Sequence, residues 1–322
     1  NIERLHHDHH SIDAKTGKKV SFGVVRVANL PPCVALTRYL LNAEWLQEIA
    51  PRVMAYHSRQ VLVLRSEQEK HLDHVLKRKE KLGEQAAAFS DKVIRQHLDV
   101  TDYDNVIFIL VATPVEEVGR DHDFDWAIIE PSSYRSIIQL SGRVLRHRKL
   151  EQDIQKPNIA LMQYNLKGLR KAKVAFEKPG FEINNDKFKL QNKNLNELLD
   201  ISGTEFSINA IPRIKANQPL QAIKKLAVMA DALTSYNKVG AKPLNSWLTQ
   251  KWFLTALPQQ FNPFRQSSPN IQLFALWRNH KLTFCEKDDL GRYIDRNGFY
   301  NIQPVQLNEL EQQRLWLNRN YY

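Results

Sequence analysis

The chain has 322 residues, a net charge of +11 at pH 7 and a pI near 9.5. Its 43% hydrophobic and 25% charged residues are typical of a folded, water-soluble protein, and its length accommodates two domains with separate cores. No apolar run is long enough to span a bilayer, and Cys33 and Cys285 are too few for a disulfide framework. We therefore expect a cytoplasmic protein with unpaired cysteines and no membrane partner, and the positive charge favours a polyanionic partner.

Residues 1–19 are mostly polar, and we expect them to form a lead-in segment with little to bury. The run HHDHH at positions 6–10 contains good metal ligands. Five adjacent residues cannot all face one ion without an unusual backbone, so we predict a solvated or helix-end segment and no metal site. The run TGKK at 16–19 lacks the earlier glycine and the final Ser or Thr of a phosphate-binding loop, which predicts a turn.

From Val20 onwards, apolar strands alternate with amphipathic helices. The predicted strands are 20–27, 52–57, 106–113, 126–130 and 159–164. The predicted helices are 32–42, 59–81, 86–98 and 134–146. This alternation predicts an α/β fold in which a doubly wound parallel sheet carries helices on both faces. In such sheets the functional groups gather at the carboxyl ends of the strands.

Polar residues follow the predicted strands at this edge. Asn29 follows the first strand, and His57-Ser58-Arg59 ends the second. We expect Ser58 to cap the next helix, and a helix N-terminus there also favours contact with a phosphate, because one backbone geometry serves both purposes.

An acidic loop follows the strand 106–113. It carries Glu116, Glu117, Asp121, Asp123 and Asp125. These carboxylates could form a divalent-metal cluster or a general-base pair. Alternatively, they could fix the geometry of the loop by hydrogen bonding to the backbone and to neighbouring arginines.

The segment QLSGRVLR at 139–146 places two arginines three residues apart behind a glycine. Because the surrounding periodicity predicts a helix, we expect Arg143 and Arg146 to share one helix face and to reach the same anion. A guanidinium keeps its charge at neutral pH, and its planar fork matches phosphate oxygens. Two such groups on a rigid helix suit a phosphoryl group in transfer, whose charge spreads over three oxygens.

After residue 165 the alternation of strands and helices is lost. We predict a linker over 166–235 with an amphipathic helix near 219–236, and a smaller, mostly helical C-terminal domain over 236–322 with no catalytic constellation. Basic residues interleaved with phenylalanines crowd the start of the linker, among them Lys167, Arg170, Lys171, Lys173, Phe176, Lys178, Phe181, Lys187, Phe188, Lys189 and Lys193. This composition suits phosphate contact with base stacking, although a solvated linker explains it nearly as well.

The acidic loop and the arginine segment together resemble the last two conserved motifs of superfamily two helicases. The matching positions are Ala112, Thr113, Glu117, Gly119, Asp121, Asp123, Gln139, Gly142, Arg143 and Arg146. With the segments VSFGVVRVANLPPCVALTRYLL and RVMAYHSRQVLVLRSEQEKHLDHVLKRK, residues 20–165 resemble the CRISPR-associated helicase–nuclease of type I interference, most like subtype F.

The resemblance implies that residues 20–165 are the second RecA-like domain of an ATP-driven 3′ to 5′ translocase on single-stranded DNA, which feeds a metal-dependent nuclease. It implies catalytic roles for Gln139, Arg143 and Arg146, and a role in ATP coupling for Gly119, Asp121, Asp123 and Gly142. DNA contacts are predicted for Asn29, His57, Ser58, Arg59, Thr113, Lys171 and Lys173.

The implied cofactors are ATP and Mg²⁺, held mainly by a first motor domain, and a divalent metal in a nuclease domain. Because no phosphate-binding loop and no nuclease motif occur in the 322 residues, we expect this chain to be part of a larger enzyme and to be inactive alone. The implied partners are single-stranded DNA, the crRNA-guided surveillance complex and the spacer-integration protein.

Other functions stay open at this point. The chain could be the motor half of another superfamily two translocase in repair or restriction. It could act alone as a DNA-binding module, or its C-terminal part could be mainly a platform for protein docking. Salt-dependent DNA binding without ATP turnover would favour the stand-alone module.

Overall fold

The computed structural model describes residues 1–46, 48–117, 119–148, 154–177, 189–199 and 271–318. A six-stranded sheet forms its centre, with five parallel strands in the order β3-β4-β2-β5-β6 and a short β1 antiparallel to β2. The strands are β1 Ser11–Ile12, β2 Lys19–Arg26, β3 Ile49–Tyr56, β4 Asn105–Ala112, β5 Trp126–Ile129 and β6 Ile159–Leu161. This confirms the predicted doubly wound α/β fold.

Helices cover both faces of the sheet because the strands are apolar on both faces. On β4, Val106, Phe108 and Leu110 face one apolar cluster, whereas Ile107 and Ile109 face the other, and all five are fully buried. The helices α3, α4 and α5 contribute to the first cluster, and α1 and α2 to the second. The helices around the sheet are α1 Ile2–His9, α2 Leu30–Asn42, α3 Leu62–Val75, α4 Lys92–Val100, α5 Tyr134–Ser141 and α6 Leu166–Leu169.

The first nineteen residues correct one prediction, because they are part of the fold. In α1, Leu5 is fully buried and His6 is 2% exposed. The His6 ring lies against Ser21 of β2, with 2.7 Å between Nδ1 and Oγ, and burial lowers its pKa to about 4. Asp13 is buried under Arg95. The polar composition hid this packing, since α1 docks through few residues, with Leu5 and His6 buried and Ile2 partly buried against the core.

The predicted cap at Ser58 is wrong. Helix α3 begins at Leu62, and its preceding residue Val61 makes no side-chain cap hydrogen bond. Between the strand and the helix, the backbone N–H of His57 donates to Gln60 Oε1 at 3.3 Å. This side-chain turn takes the place of the first helical turn predicted at residue 59.

Helix α5 is shorter than predicted and ends before both arginines. It stops at Ser141, with Gly142 at its C-cap. Val144 then pairs with Phe124 in an isolated parallel bridge, and Leu145 adopts φ 47°. The apolar periodicity continues through these residues because Val144 is buried and Leu145 is partly buried against the core, although neither is helical.

The described residues also change the prediction for the C-terminal part. By compactness the chain divides into one unit of Asn1–Ile208 with Val305–Tyr322, and a second unit of Asn209–Pro304. The last residues therefore belong with the first unit, where Val53 of β3 bridges Leu315 and Trp316 is fully buried. No local pattern in the sequence indicates that the chain after Pro304 packs with the first unit.

The described part of the second unit is a three-stranded antiparallel sheet, so the mostly helical prediction is wrong for these residues. Its strands are β9 Phe274–Arg278, β10 Lys281–Lys287 and β11 Tyr293–Asp295. Asn279 and His280 form the tight turn between β9 and β10 with positive φ angles, a hairpin signal in the sequence. The predicted helix at 219–236 lies outside the described residues.

The remaining short elements lie in the linker and near the C-terminus. They are β7 Phe176–Glu177, β8 Lys189–Leu190, α7 Leu195–Leu198 and α8 Glu309–Gln313. Cys33 and Cys285 are both buried and unpaired, as predicted. Among the described helices, none combines the length and the apolar composition required to cross a bilayer.

Candidate functional site

Four strands end side by side at one edge of the sheet. Their last residues are paired in register, with Tyr56 beside Ala112, Ala112 beside Arg26, and Arg26 beside Ile129. The following residues continue this pairing, since the Thr113 N–H donates to the Tyr56 carbonyl at 3.1 Å. The structure therefore brings the strand-end residues predicted from the sequence to a common carboxyl edge.

The predicted DNA-contact residues at this edge differ in accessibility. Ser58 and Arg59 are exposed on the loop after β3, Asn29 is exposed after β2, and His57 is partly exposed. Thr113 is only 8% exposed, so its side chain is the least accessible of the five.

A cleft of about 350 Å³ opens at the same edge, beyond β5. Asn29, Ser133, Lys167 and Arg170 line it. Glu130 shapes its floor, because its carboxylate accepts hydrogen bonds from the backbone N–H groups of Ala28 at 2.6 Å and Leu166 at 2.8 Å. The cleft thus joins the strand ends to the start of the basic linker.

Lys171 and Lys173 are exposed just after α6, and Lys171 has a positive φ of 56°. Phe176 is buried, so it is a packing residue and not a stacking surface. Lys178, Phe181, Lys187 and Phe188 lie outside the described residues. In the described part of the basic segment, Lys171 and Lys173 are therefore available to contact phosphates, whereas the ring of Phe176 is not available for base stacking.

Arg26, at the end of β2, makes buried connections that were not predicted from the sequence. Its side chain is 2% exposed, and Nε donates to Glu117 Oε1 at 2.7 Å. Nη1 donates to the Glu130 carbonyl at 2.7 Å, and Nη2 donates to Ser132 Oγ at 2.8 Å. A signal was present, because an arginine inside the apolar run VVRVA must find polar partners if the strand is buried.

The loop after β4 is held by a buried histidine between two carboxylates. His122 is 1% exposed, and its Nδ1 and Nε2 lie 2.7 Å from Glu116 Oε1 and 3.0 Å from Asp73 Oδ1. Burial alone would lower the pKa of His122, but these two carboxylates outweigh it and raise the pKa above its ordinary value. His122 therefore ties the loop to Asp73 of α3.

Glu117 has a different environment. Burial raises the pKa of its carboxyl group, against the opposing charge of Arg26. The carboxyl group nevertheless lies 2.7 Å from a guanidinium nitrogen, which gives a buried, charge-assisted hydrogen bond.

Asp123 and Asp125 form a second buried cluster with two arginines. Arg148 donates to Asp123 at 2.8 Å and to Asp125 at 2.6 Å, and Arg78 donates to Asp125 at 2.7 Å. Although burial alone would raise the pKa of Asp125, both arginines lower it. These contacts support the alternative in which the acids fix loop geometry. Across the described ranges, no group of three His, Cys, Asp or Glu side chains is arranged to hold a metal ion.

The two motif arginines reach the loop by different routes. Arg143 is 7% exposed, its Nη2 donates to the Glu117 carbonyl at 3.1 Å, and its Nε has no hydrogen-bond partner in the described part of the chain. Arg146 is more exposed, and its Nε lies 3.0 Å from Asp121 Oδ1. They do not share a helix face, which corrects the prediction, but both contact the acidic loop. Burial lowers the pKa of Arg143.

Asp121 is exposed and lies among basic side chains. His147 Nε2 lies 2.8 Å from Asp121 Oδ1, and Lys79 Nζ lies 4.0 Å from Oδ2. The hydrogen bond from His147 is the main reason that the pKa of Asp121 is lowered. No role was predicted for His147 or Lys79, which come together with Asp121 only in the folded chain.

The other motif positions have structural roles that are visible here. Gly119 has φ 71° and open space around its Cα, so it permits a turn that other residues would strain. Gly142 closes α5 through hydrogen bonds from its N–H to the carbonyls of Ile138 and Leu140. Gln139 is partly exposed in the last turn of α5.

Comparison with known proteins gives one family. Residues 19–149 match the family model described as CRISPR-associated nuclease/helicase Cas3, C-terminal. The chain is 37% identical over 286 residues to the Cas3 subtype I-F/YPEST nuclease/helicase of Pectobacterium atrosepticum, covering 85% of the chain and 25% of that protein. It is 38% identical over 313 residues to its counterpart in Pseudomonas aeruginosa, covering 96% of the chain and 28% of that protein.

The chain thus spans about a quarter of the length of these curated relatives. Among solved structures, T. fusca Cas3 with AMPPNP matches with 20% identity and a TM-score of 0.32, covering 46% of this chain and 14% of that one. A similarity of this size supports no inference about the site.

Proposed function

Since the chain belongs to the C-terminal family of the CRISPR-associated nuclease/helicase Cas3, we propose that it supplies the second motor domain of an ATP-dependent single-stranded-DNA translocase that degrades foreign DNA in CRISPR interference. The observation that carries this proposal is the contact of Arg143 and Arg146 with the loop after β4. That loop starts at Thr113 on the carboxyl edge of the sheet. One short segment therefore links an anion-binding pair to the edge where DNA would lie.

The proposed DNA surface is this carboxyl edge with the adjoining start of the basic linker. Asn29, His57, Ser58 and Arg59 lie on the edge, and exposed Lys171 follows α6. Backbone groups and cations there suit phosphates, which all sequences share. We therefore propose binding without sequence preference, and translocation in the 3′ to 5′ direction.

ATP with Mg²⁺ would be held mainly by a first motor domain, and a nuclease domain would hold its own divalent metal. The residues present here fit the nucleotide, because the buried Arg143 carries an Nε–H with no partner in the described part of the chain, an orphan that a phosphate oxygen can satisfy. Bound ATP supplies a phosphoryl group whose charge spreads over three oxygens during transfer.

Within that chemistry, Arg146 and Arg143 would stabilise the developing charge, and Gln139 would help to order the site. Gly119, Asp121, Asp123 and Gly142 would couple the nucleotide to the DNA edge through the loop geometry. The crRNA-guided surveillance complex and the spacer-integration protein are the proposed partners, and the cytoplasm is the proposed location.

Arginine substitutions in the full-length enzyme test this proposal. We expect Arg146→Ala to lower ATP turnover by about a thousandfold or more, while ATP and DNA binding persist, because the charge develops in the transition state. Arg4→Ala removes a comparable surface ion pair on α1, with Asp8, and is the matched control. A variant that melts early but turns over normally when cooled would show that the arginines only hold the loop together.

Experiments on the isolated chain test whether ATP turnover requires the first motor domain. We expect no ATP turnover stimulated by single-stranded DNA above that of an Arg143→Ala/Arg146→Ala double variant. Its affinity for single-stranded DNA should fall linearly with salt on a log–log plot. Turnover by the isolated chain, or a flat salt response, would contradict these expectations. If the chain binds DNA but DNA does not change ATP turnover by the full-length enzyme, the stand-alone binding module would be favoured.

A further inference from the structure

Arg26 joins three segments of the first unit. It stands at the end of β2, and its three guanidinium nitrogens bond to Glu117 in the loop after β4, to the Glu130 carbonyl after β5, and to Ser132 before α5. The residue is 1% exposed, so it is not placed to contact a ligand directly. Because its nitrogens bond both to the loop after β4 and to the connection between β5 and α5, a shift of either segment must strain the bonds to the other.

The partners of Arg26 lead in two directions. Towards the proposed DNA edge, the chain continues from Arg26 to Ala28, whose N–H is bonded to Glu130, and then to Asn29. Towards the nucleotide side, the carbonyl of Glu117 accepts the hydrogen bond from Arg143 Nη2. Two hydrogen-bonded residues, Arg26 and Glu117, therefore lie between the strand edge and the buried Arg143.

The third bond leads to the base of α5. Ser132 Oγ donates to Ser136 Oγ at 3.0 Å, and Ser136 completes a capping box with Ser133 at the N-terminus of the helix. Helix α5 ends at the Gly142–Arg143 turn. Arg26 thus contacts the start of the helix as well as the loop that receives Arg143 at the other end.

We propose that Arg26 is a positioning residue that transmits DNA occupancy at the carboxyl edge to Arg143. The role rests on the proposed function. The planar guanidinium suits it, because its donors lie in a fixed geometry that a lysine ammonium cannot reproduce. Arg26 contributes to turnover only when DNA is bound, and it contributes little to DNA affinity.

The test uses the full-length enzyme and measures ATP turnover with and without saturating single-stranded DNA. Arg26→Lys keeps the charge but cannot make all three bonds. We expect it to lower DNA-stimulated kcat by about 5- to 150-fold, the usual range of coupling between sites. Turnover without DNA, the KM for ATP and the Kd for DNA should each stay within about twofold of the wild-type values.

Ser132→Ala gives a milder variant that removes one acceptor from a partly exposed position, in case Arg26→Lys folds poorly. It should lower the DNA-stimulated kcat in the same direction and have no further effect when added to Arg26→Lys, since both changes break one path. Ser90→Ala, on an exposed serine away from the network, is the control.

The outcomes separate the two proposals. A wild-type enzyme whose ATP turnover DNA does not stimulate would overturn the proposed function, and the role of Arg26 with it. Wild-type stimulation that both Arg26→Lys and Ser132→Ala retain would overturn the role of Arg26 alone. Equal losses of turnover with and without DNA would also overturn it, because they would show that Arg26 only maintains the fold.

Discussion

Removing the Trp316 side chain should destabilise the first unit severely. Trp316 is fully buried, with its ring 5.2 Å from Phe108 and 5.9 Å from Phe22. Its Nε1 donates to His71 Nε2 at 3.1 Å, so truncation also leaves a buried imidazole nitrogen without its donor. Replacing a core tryptophan by alanine costs about 3–5 kcal/mol. The free energy of unfolding of a domain is about 5–15 kcal/mol in total.

Urea unfolding followed by far-UV circular dichroism measures this change. We expect Trp316→Ala to lower the unfolding free energy by about 3–5 kcal/mol, and Trp316→Phe to lose much less because it keeps most of the apolar contact. Trp277→Ala is the matched control, since Trp277 is 42% exposed and lies in the other unit. A Trp316→Ala variant within about 1 kcal/mol of the wild type would show that the C-terminal segment is not part of the core, and the reasoning would fail.

Two further predictions concern the sheet and its first helix. Gly23→Ala should destabilise the protein by about 1–3 kcal/mol or more, because a Cβ at this position of β2 would collide with the Trp126 indole. Gly298→Ala is the control and should not destabilise the protein, because a Cβ there meets open space. Thermal melting of both variants measures the difference. Lowering the pH from 7 to 5 should cost about 2 kcal/mol through His6, because its folded pKa of about 4 lies below the 6.5 of the unfolded chain, so the unfolded state takes up the proton first. This loss begins as the pH falls through 6.5 and levels off below 4. His6→Gln should make the pH dependence of unfolding shallower, and an unchanged profile would contradict the assignment.

The sheet was predictable from the sequence because burial on both faces leaves a continuous apolar run. The strand predicted at 106–113 is β4 Asn105–Ala112, and each of its residues from Val106 to Ala112 is fully buried. The end of α5 was not predictable in the same way. Val144 and Leu145 continue the apolar period after Gly142, although tertiary pairing with Phe124 and not a helix buries them.

The motif positions of the site were found, but their contacts were not. Gln139, Arg143 and Arg146 came from spacing and resemblance. By contrast, Arg26 and Arg148 act through partners that are 23 to 106 positions away, such as Ser132 and Asp125. His122 also contacts Asp73, which is 49 positions away. A local pattern carries no record of such pairs. The one usable signal was a charged residue in an apolar strand, which requires a buried partner somewhere in the fold.

The contacts of the two motif arginines set different conditions for their proposed use. Arg146 pairs with Asp121 where both side chains are partly exposed, and ion pairs of this kind contribute about 0–1 kcal/mol. Its guanidinium can therefore leave Asp121 for a phosphate at little cost. Arg143 is buried and bonded to a carbonyl, so it is held in place before any ligand arrives. A donor that is already in position stabilises the transition state at a smaller free-energy cost than one that must first be ordered. In the proposed function, Arg143 is therefore a fixed donor and Arg146 a mobile one, and both contact the loop after β4.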